Sequence, residues 1–139
     1  MPALFRAKIT MPGFWVNSTL LSYAICRCTV AFVWFYQGLV PKLLNQHEDE
    51  LAMTMAIGLS RSGAETMATI GGVLEIVISV AVLAYWRHRW PLLLTVAAMV
   101  GLLDFVALFQ PVLLGAAFNP VTTNVAVMAL SVVGLCLLP

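Results

Sequence analysis

Residues 66–90 read TMATIGGVLEIVISVAVLAYWRHRW and contain the pattern that decides the fold. The part up to Trp86 is predominantly apolar, and its length is about what one helix needs to cross a bilayer. The WRHRW segment that follows holds two tryptophans and two arginines, which are typical anchors at a membrane surface. The stretch therefore predicts a membrane-spanning helix that ends at the headgroup level.

The composition of the whole chain agrees with a membrane protein. Of its 139 residues, 62% are hydrophobic and 9% are charged, whereas a soluble domain is about 45–50% apolar and about 25% charged. So few polar side chains could not cover a surface in water. A net charge of +1 gives no signature of a nucleic-acid partner. These values exclude a soluble globule, a disordered tail and a nucleic-acid-binding protein.

Other apolar runs extend the pattern to four spans in one membrane domain, residues 1–139. The spans are predicted at residues 20–40, 66–86, 92–109 and 123–138. The first ends before Pro41, which disfavours helical geometry in the residue before it. Residues 45–63 are the most polar part, with Leu51, Met55 and Leu59 at four-residue spacing. The fold class is therefore all-α: a four-transmembrane-helix bundle with a short amphipathic outer helix between the first and second spans.

The distribution of Lys and Arg predicts the orientation. An irregular lead-in at residues 1–15 and the loop between the second and third spans lie on one side of the membrane. The positive residues on that side are Arg6, Lys8, Arg87 and Arg89. The opposite side carries Lys42 and Arg61. Because cytoplasmic loops carry the excess of positive charge, we expect both termini in the cytoplasm.

Three charged side chains fall inside the predicted spans, where each costs about 2.5–3.5 kcal/mol on insertion scales. They are Arg27, Glu75 and Asp104. Small residues lie at helical spacing beside both carboxylates: Ala68, Gly71, Gly72 and Ser79 around Glu75, and Ala97 and Gly101 around Asp104. On the first span one stripe holds Arg27, Ala31, Trp34 and Gly38. Because small residues let helices approach closely, we predict that these faces are buried together.

We expect Glu75, Asp104, Gln37 and Lys42 to converge in the outer half of the bundle. Lys42 lies at the outer rim, where it can snorkel, and an extended Arg27 side chain is expected to reach Glu75. The group is interpreted as a polar pocket or a proton-handling site. An ion pair that only fixes helix register stays open as the alternative.

Metal binding and disulfide formation are not indicated. Cys26 and Cys28 point to different sides of a helix, and Cys136 is expected near the same end of the bundle. The three cysteines show no zinc-ligand spacing. We therefore predict no metal site, and the sequence does not identify catalytic residues.

Four stretches together resemble a known family. They are RCTVAFVWFYQGLVPKLL at residues 27–44, GGVLEIVIS around Glu75, LLDFVALFQP around Asp104, and FNPVTTN at residues 118–124. Over about residues 24–138 the chain resembles the DoxX-like family of small four-helix bacterial membrane proteins. Gln37 departs from the acidic residue expected before the glycine of the first stretch.

The resemblance implies a multi-pass protein of the bacterial cytoplasmic (inner) membrane, linked to quinone- or thiol-dependent redox systems. Matching positions imply a shared polar set, which serves as the list of candidate ligand- or proton-site residues: Arg27, Trp34, Gln37, Lys42, Glu75, Asp104, Asn119 and Asn124.

Our first functional hypothesis is a non-catalytic subunit of such a redox system that holds a quinone or a lipid between its helices. No self-contained catalytic motif or intrinsic redox centre is visible, so the question of enzymatic activity stays open. The alternatives are a small solute or proton transporter, a lipid-binding membrane protein, or a structural anchor for a soluble partner. Membrane lipids are expected partners, a soluble oxidoreductase and a homodimer are kept open, and nucleic acid is excluded.

Overall fold

The chain is helical over most of the part that the structure describes. The structure is a computed structural model and describes residues 13–115 and 119–138. Its elements in chain order are α1 (Gly13–Gly38), a π-helical segment (Leu39–Leu44), α2 (Glu48–Met55), α3 (Arg61–Ala84), α4 (Trp90–Phe109), a 3-10 turn (Pro111–Gly115) and α5 (Pro120–Cys136). No strand occurs within these two ranges. The predicted all-α class is confirmed.

Three described segments are long and apolar enough to cross a membrane. They are Ser18–Leu44, Arg61–Ala84 and Trp90–Phe109. The fourth predicted span corresponds to α5, an apolar helix of 17 residues, which is at the short end of the range of about 17–25 residues that spans a bilayer. Large apolar side chains such as Leu21 remain exposed on the helices, where lipid can solvate them. The chain is therefore a small membrane protein.

The four long helices pack around a core that α1 shares with its neighbours. α1 packs against α3 and α5, and α4 packs against α5. The buried core includes Val30, Trp34, Val82, Leu92, Met99 and Val127. Two buried hydroxyls in this region bond to carbonyls of their own helices, Thr95 to Pro91 and Ser131 to Val127, so their burial leaves no donor unpaired.

The first long helix continues past its predicted end. The span was predicted to stop at residue 40, but the chain goes on as the π-helical segment Leu39–Leu44. Pro41 has no N–H to bond the Gln37 carbonyl, and its ring crowds that carbonyl, so the turn widens instead of ending. The Asn45 N–H then bonds the Val40 carbonyl at 2.9 Å. π-helical turns of this kind often lie at functional sites.

The predicted amphipathic helix is present as α2. Leu51 is buried against Ala64 and Ala68 of α3, whereas Met55, expected on the same apolar face, is 42% exposed. α3 begins after Ser60, whose side chain accepts a hydrogen bond from the Gly63 N–H at 3.2 Å and so caps the helix. α2 is thus attached to α3 through one buried side chain.

Some predictions lie outside the described residues. The irregular lead-in, with Arg6 and Lys8, lies outside them up to residue 12, and from Gly13 onward the chain is already in α1. Phe118 of the FNPVTTN stretch also lies outside the described residues. Asn119 is the N-cap of α5, where its side-chain oxygen accepts from the Thr122 N–H at 3.0 Å.

Candidate functional site

Two glycines bring α1 and α3 into direct backbone contact. A Cβ added at Gly38 would lie 2.5 Å from the Gly72 carbonyl oxygen, and one added at Gly72 would lie 2.7 Å from the Gly38 carbonyl oxygen. Only glycine, which has no side chain, fits at these two positions. Small residues commonly allow membrane helices to approach closely in this way. The crossing places the π-helical segment after Gly38 beside the turn of α3 that carries Glu75.

An ion-paired cluster forms at this crossing. The Lys42 ammonium donates to Glu75 Oε1 at 2.5 Å and lies 3.1 Å from Glu50 Oε1 of α2. The side chains of Lys42 and Glu75 are only 11% and 10% exposed. The prediction that Lys42 snorkels at the rim is wrong, because two carboxylates hold the ammonium inside the protein.

One oxygen of this cluster has no partner. Glu75 Oε2 is buried and makes no hydrogen bond with any described residue. A buried carboxylate oxygen without a donor is costly and calls for an explanation, such as a bound molecule that donates to it. This atom is therefore the strongest single indication of a ligand site.

A cavity of about 270 Å³ adjoins the cluster. Its apolar wall includes Trp34, Met99, Leu102 and Val106, and its polar residues include Lys42, Asp49, Glu50, Glu75, Asn119 and Asn124. An apolar chamber with a few convergent polar groups is the usual form of a small-molecule site. The cavity can thus hold an amphipathic molecule whose polar end meets the ion-paired cluster.

Two polar side chains of the cavity are fixed by hydrogen bonds. The Trp34 indole donates to Thr95 Oγ1 of α4 at 3.1 Å, which holds the ring in place in the wall. The Asn124 side-chain amide donates to the Met99 carbonyl at 3.5 Å. Rings and amides held in this way provide a preformed wall for a ligand.

An ion pair, together with the buried Leu51 side chain, holds α2 over the cluster. Glu48 pairs with Arg61 at 2.7 Å, and the hydrogen bond from that guanidinium lowers the pKa of the Glu48 carboxyl below its usual value. The acidic first turn of α2 also complements the positive end of the helix dipole. Asp49, Glu50 and Met53 of this helix line the cavity.

Arg27 does not belong to this site. The side chain is fully buried, and its guanidinium donates to the carbonyls of Val82 at 2.6 Å, Tyr85 at 3.2 Å and His88. The prediction that it reaches Glu75 is wrong. The carbonyls that end α3 lack partners within their own helix and carry partial negative charge, and they hold the guanidinium instead.

Tyr23 completes this arrangement at the end of α3. Its hydroxyl accepts from Arg27 Nε at 3.0 Å and donates to the Trp86 carbonyl. The Tyr23 and Trp86 rings also meet edge to face, with centroids 5.3 Å apart. Arg27 and Tyr23 thus act as a side-chain cap for the C-terminus of α3.

Asp104 also lies away from the cavity. The residue is exposed, is not among the cavity-lining residues, and forms no ion pair or hydrogen bond with another described residue. The prediction that it converges with Glu75 is wrong. α4 packs through Leu92, Thr95, Met99 and Val106, and Asp104 is not on that face.

Removing the two intramembrane carboxylates should therefore have different effects. In bicelles, Asp104→Leu is expected to leave the free energy of unfolding unchanged or to raise it, because the exposed carboxylate has no contact that the folded protein would lose. Glu75→Leu is expected to lower it, since Lys42 loses a buried partner. Equilibrium unfolding by denaturant measures both changes. Equal destabilisation by the two variants would contradict the placement of Asp104 on the exposed face.

The structure brings together most of the predicted polar set. Six members line the cavity: Trp34, Gln37, Lys42, Glu75, Asn119 and Asn124. Gln37 is exposed beside it. Sequence reasoning missed Glu50 and Asp49, because residues 45–63 were interpreted only as a surface helix. The available signal was the apolar Leu51 directly after Glu50. The structure buries Leu51 against α3, which turns this part of α2 toward that helix.

The cysteines remain apart from the site. Cys26 is buried, Cys28 and Cys136 are exposed, and all three are free. Among the described residues no group of three or more His, Cys, Asp or Glu side chains is arranged to hold a metal ion.

The bundle and its charged cavity define a small helical membrane protein with a candidate ligand site between its helices. The model of the DoxX-like family matches residues 31–132, so the chain belongs to that family. The match includes the crossing glycines, the ion-paired cluster and the start of α5. No curated protein and no solved structure matches the chain significantly.

Proposed function

We propose that this protein is a non-catalytic membrane subunit of a quinone- or thiol-linked redox system, and that it holds a quinone-type carrier, the quinone or its quinol, in the cavity beside Glu75. The observation that carries the proposal is the unpartnered Oε2 of Glu75 in a chamber with an apolar wall. A quinone head combines a flat apolar ring with polar oxygens, and this chamber offers a surface for each.

The size of the cavity favours a ring rather than a whole lipid. About 270 Å³ lies just below the range of about 300–1,000 Å³ that is typical of small-molecule sites. Trp34 and Met99 would bind the ring, since aromatic and thioether groups pack well against a flat π system. Lys42, Glu75 and Asn124 would orient the polar head. An isoprenoid tail would extend into the surrounding lipid.

The redox chemistry in this proposal belongs to the carrier, which supplies electron transfer when it is bound. The residues of the chain bind the ring, orient its oxygens and keep charged groups near them. Electrons would come from a soluble oxidoreductase partner or from another carrier molecule. We place the protein in the bacterial cytoplasmic membrane because it belongs to the DoxX-like family. Both termini are placed inside because of the Lys and Arg distribution.

Two adjacent threonines provide a matched test of the cavity. Thr123 of α5 lines the cavity, whereas Thr122 is exposed and does not. Thr123→Phe should fill the chamber without removing a charge and reduce quinone retention at least about tenfold, because overlap with a packed ring costs at least about 1.4 kcal/mol. Thr122→Phe should retain the wild-type amount.

The measurement is mass spectrometry of quinone extracted from gently solubilised protein, expressed per mole of chain. Unfolding midpoints of both variants establish that each is folded. A wild-type protein that retains no quinone, even after incubation with a short-tailed benzoquinone, would refute the proposal. Equal retention by the two variants would place the quinone outside this cavity.

A further inference from the structure

The polar end of the cavity contains more acceptors than donors. Its charged residues among those described are one ammonium, Lys42, and three carboxylates, Asp49, Glu50 and Glu75, for a formal charge of −2. Ionised carboxylates accept hydrogen bonds and cannot donate them. The Lys42 ammonium donates to Glu75 and is ion-paired with Glu50. The charged groups of the cavity thus offer a ligand mainly acceptor oxygens, while its amides provide donors and acceptors alike.

The shortage of hydrogen-bond donors is clearest at one atom of Glu75. Oε1 accepts from Lys42, while Oε2 is buried and has no hydrogen-bond partner among the residues that the structure describes. The terminal torsion of a glutamate has two broad, roughly equivalent positions, so rotation exchanges the oxygens and always leaves one unpaired. A ligand that donates a hydrogen bond relieves this cost, and a ligand that only accepts places a second negative dipole beside it.

We infer that the cavity selects a head group that donates hydrogen bonds, and therefore binds the reduced, dihydroxy form of the carrier in preference to the oxidised form. This inference rests on the proposed function, because it concerns which state of a quinone-type carrier is held there. A quinol hydroxyl donates to Glu75 Oε2, and its oxygen can accept from the remaining N–H of Lys42. A quinone carbonyl can only accept.

The expected preference is large enough to measure. A hydrogen bond to a charged acceptor is strong enough to change affinity about tenfold or more, so the quinol should bind at least about tenfold more tightly than the quinone. Tenfold tighter binding of the reduced form corresponds to a rise of about 30 mV in the two-electron potential of the bound carrier. The site would then be occupied mainly by the reduced form of the carrier.

The test compares three probes with the same ring substituents and the same tail on the full-length protein in lipid nanodiscs under anaerobic conditions. They are a decyl-tailed dimethoxy-methyl-benzoquinone, its two-electron-reduced quinol, and the dimethyl ether of that quinol, which keeps the ring but has no O–H. Equilibrium dialysis gives each dissociation constant. The quinol is expected to bind at least about tenfold more tightly than either other probe.

Glu75→Gln should abolish the preference for the quinol over the quinone. Lys42 can only donate, so the glutamine oxygen will face it and the amide NH₂ will take the place of Oε2. That NH₂ donates to a quinone carbonyl and to a quinol oxygen alike, so the acceptor that favours the quinol is lost. The matched control is Glu65→Gln on the same helix, because Glu65 pairs with Arg61 and does not line the cavity. The control should keep the wild-type order. The ratio of two affinities does not depend on the fraction of protein that is folded.

The outcomes separate this inference from the proposed function. Equal binding of quinone and quinol, or tighter binding of the quinone, overturns the inference and leaves the proposed function standing. Binding of none of the three probes overturns both. Tighter binding of the lipophilic cation tetraphenylphosphonium than of the quinol also overturns both, since the negative cavity would then be a cation site. Loss of the quinol preference in Glu75→Gln, with the preference kept in Glu65→Gln, supports the inference.

Discussion

Replacing Arg27 with methionine is expected to lower the free energy of unfolding by at least about 3 kcal/mol. The guanidinium is fully buried and donates to the carbonyls of Val82, Tyr85 and His88. The carbonyls of Val82 and His88 lose the Arg27 donor, whereas the Tyr85 carbonyl still accepts from the His88 N–H at 3.0 Å. A buried acceptor that loses its donor costs about 1–3 kcal/mol. Methionine fills much of the volume but donates nothing. Unfolding in mixed micelles of increasing SDS content, followed by tryptophan fluorescence, measures the loss.

Two further substitutions separate charge from hydrogen-bond geometry. Arg27→Lys keeps the positive charge at the end of α3, but a compact ammonium cannot reproduce the planar fork of donors, so an intermediate loss is expected. Arg87→Met, on the exposed loop after α3, is the matched control and should change stability by less than about 0.5 kcal/mol. The proposed cap would be wrong if Arg27→Met were as stable as this control.

The sequence alone could not identify the groups that bond to Arg27. A charge inside a span indicates that a compensating group exists, and the other charges of the chain are the only candidates that a sequence displays. The groups that hold Arg27 are backbone carbonyls at the end of a helix, and every residue has one. Only the position of α1 relative to the end of α3 reveals which carbonyls are near.

The small-residue pattern predicted the buried faces of α1 and α3 but not that of α4. Ala31, Trp34 and Gly38 are buried on α1, as are Gly72 and Ser79 on α3. The other faces of these two helices carry bulky apolar residues, so the face with small residues can be recognised. Apart from Thr95 and Asp104, α4 is apolar all round, and a helix of that kind gives little signal of which face packs.

The small residues beside Asp104 were therefore misleading. Ala97 and Gly101 are exposed, and a Cβ added at Gly101 would meet nothing within 4 Å. The interior face of α4 uses larger side chains, such as Met99 and Val106, which pack against helices at ordinary separation. Small residues permit close approach, but they do not require it.

Replacing Gly38 with alanine should destabilise the protein and disturb the ligand site together. The new Cβ would lie 2.5 Å from the Gly72 carbonyl oxygen and 3.0 Å from Glu75 Cβ. Contacts this short force the helices apart, and overpacking of this kind costs about 1–3 kcal/mol. Because Lys42 and Glu75 lie across the same crossing, we expect quinol affinity to fall as well. SDS-induced unfolding and equilibrium dialysis measure the two effects.

Gly72→Ala disturbs the same contact from the α3 side, because its Cβ would lie 2.7 Å from the Gly38 carbonyl oxygen. Once one substitution has separated the helices, the second Cβ causes less steric overlap. The double variant should therefore lose less unfolding free energy than the sum of the two single losses. Gly101→Ala is the matched control, because it has open space around it and alanine favours a helix by about 0.5–1 kcal/mol over glycine. It should be neutral or stabilising and should leave quinol affinity unchanged. A Gly38→Ala protein as stable as Gly101→Ala would mean that α1 and α3 do not meet at these glycines, and Lys42 would then have no reason to lie against Glu75.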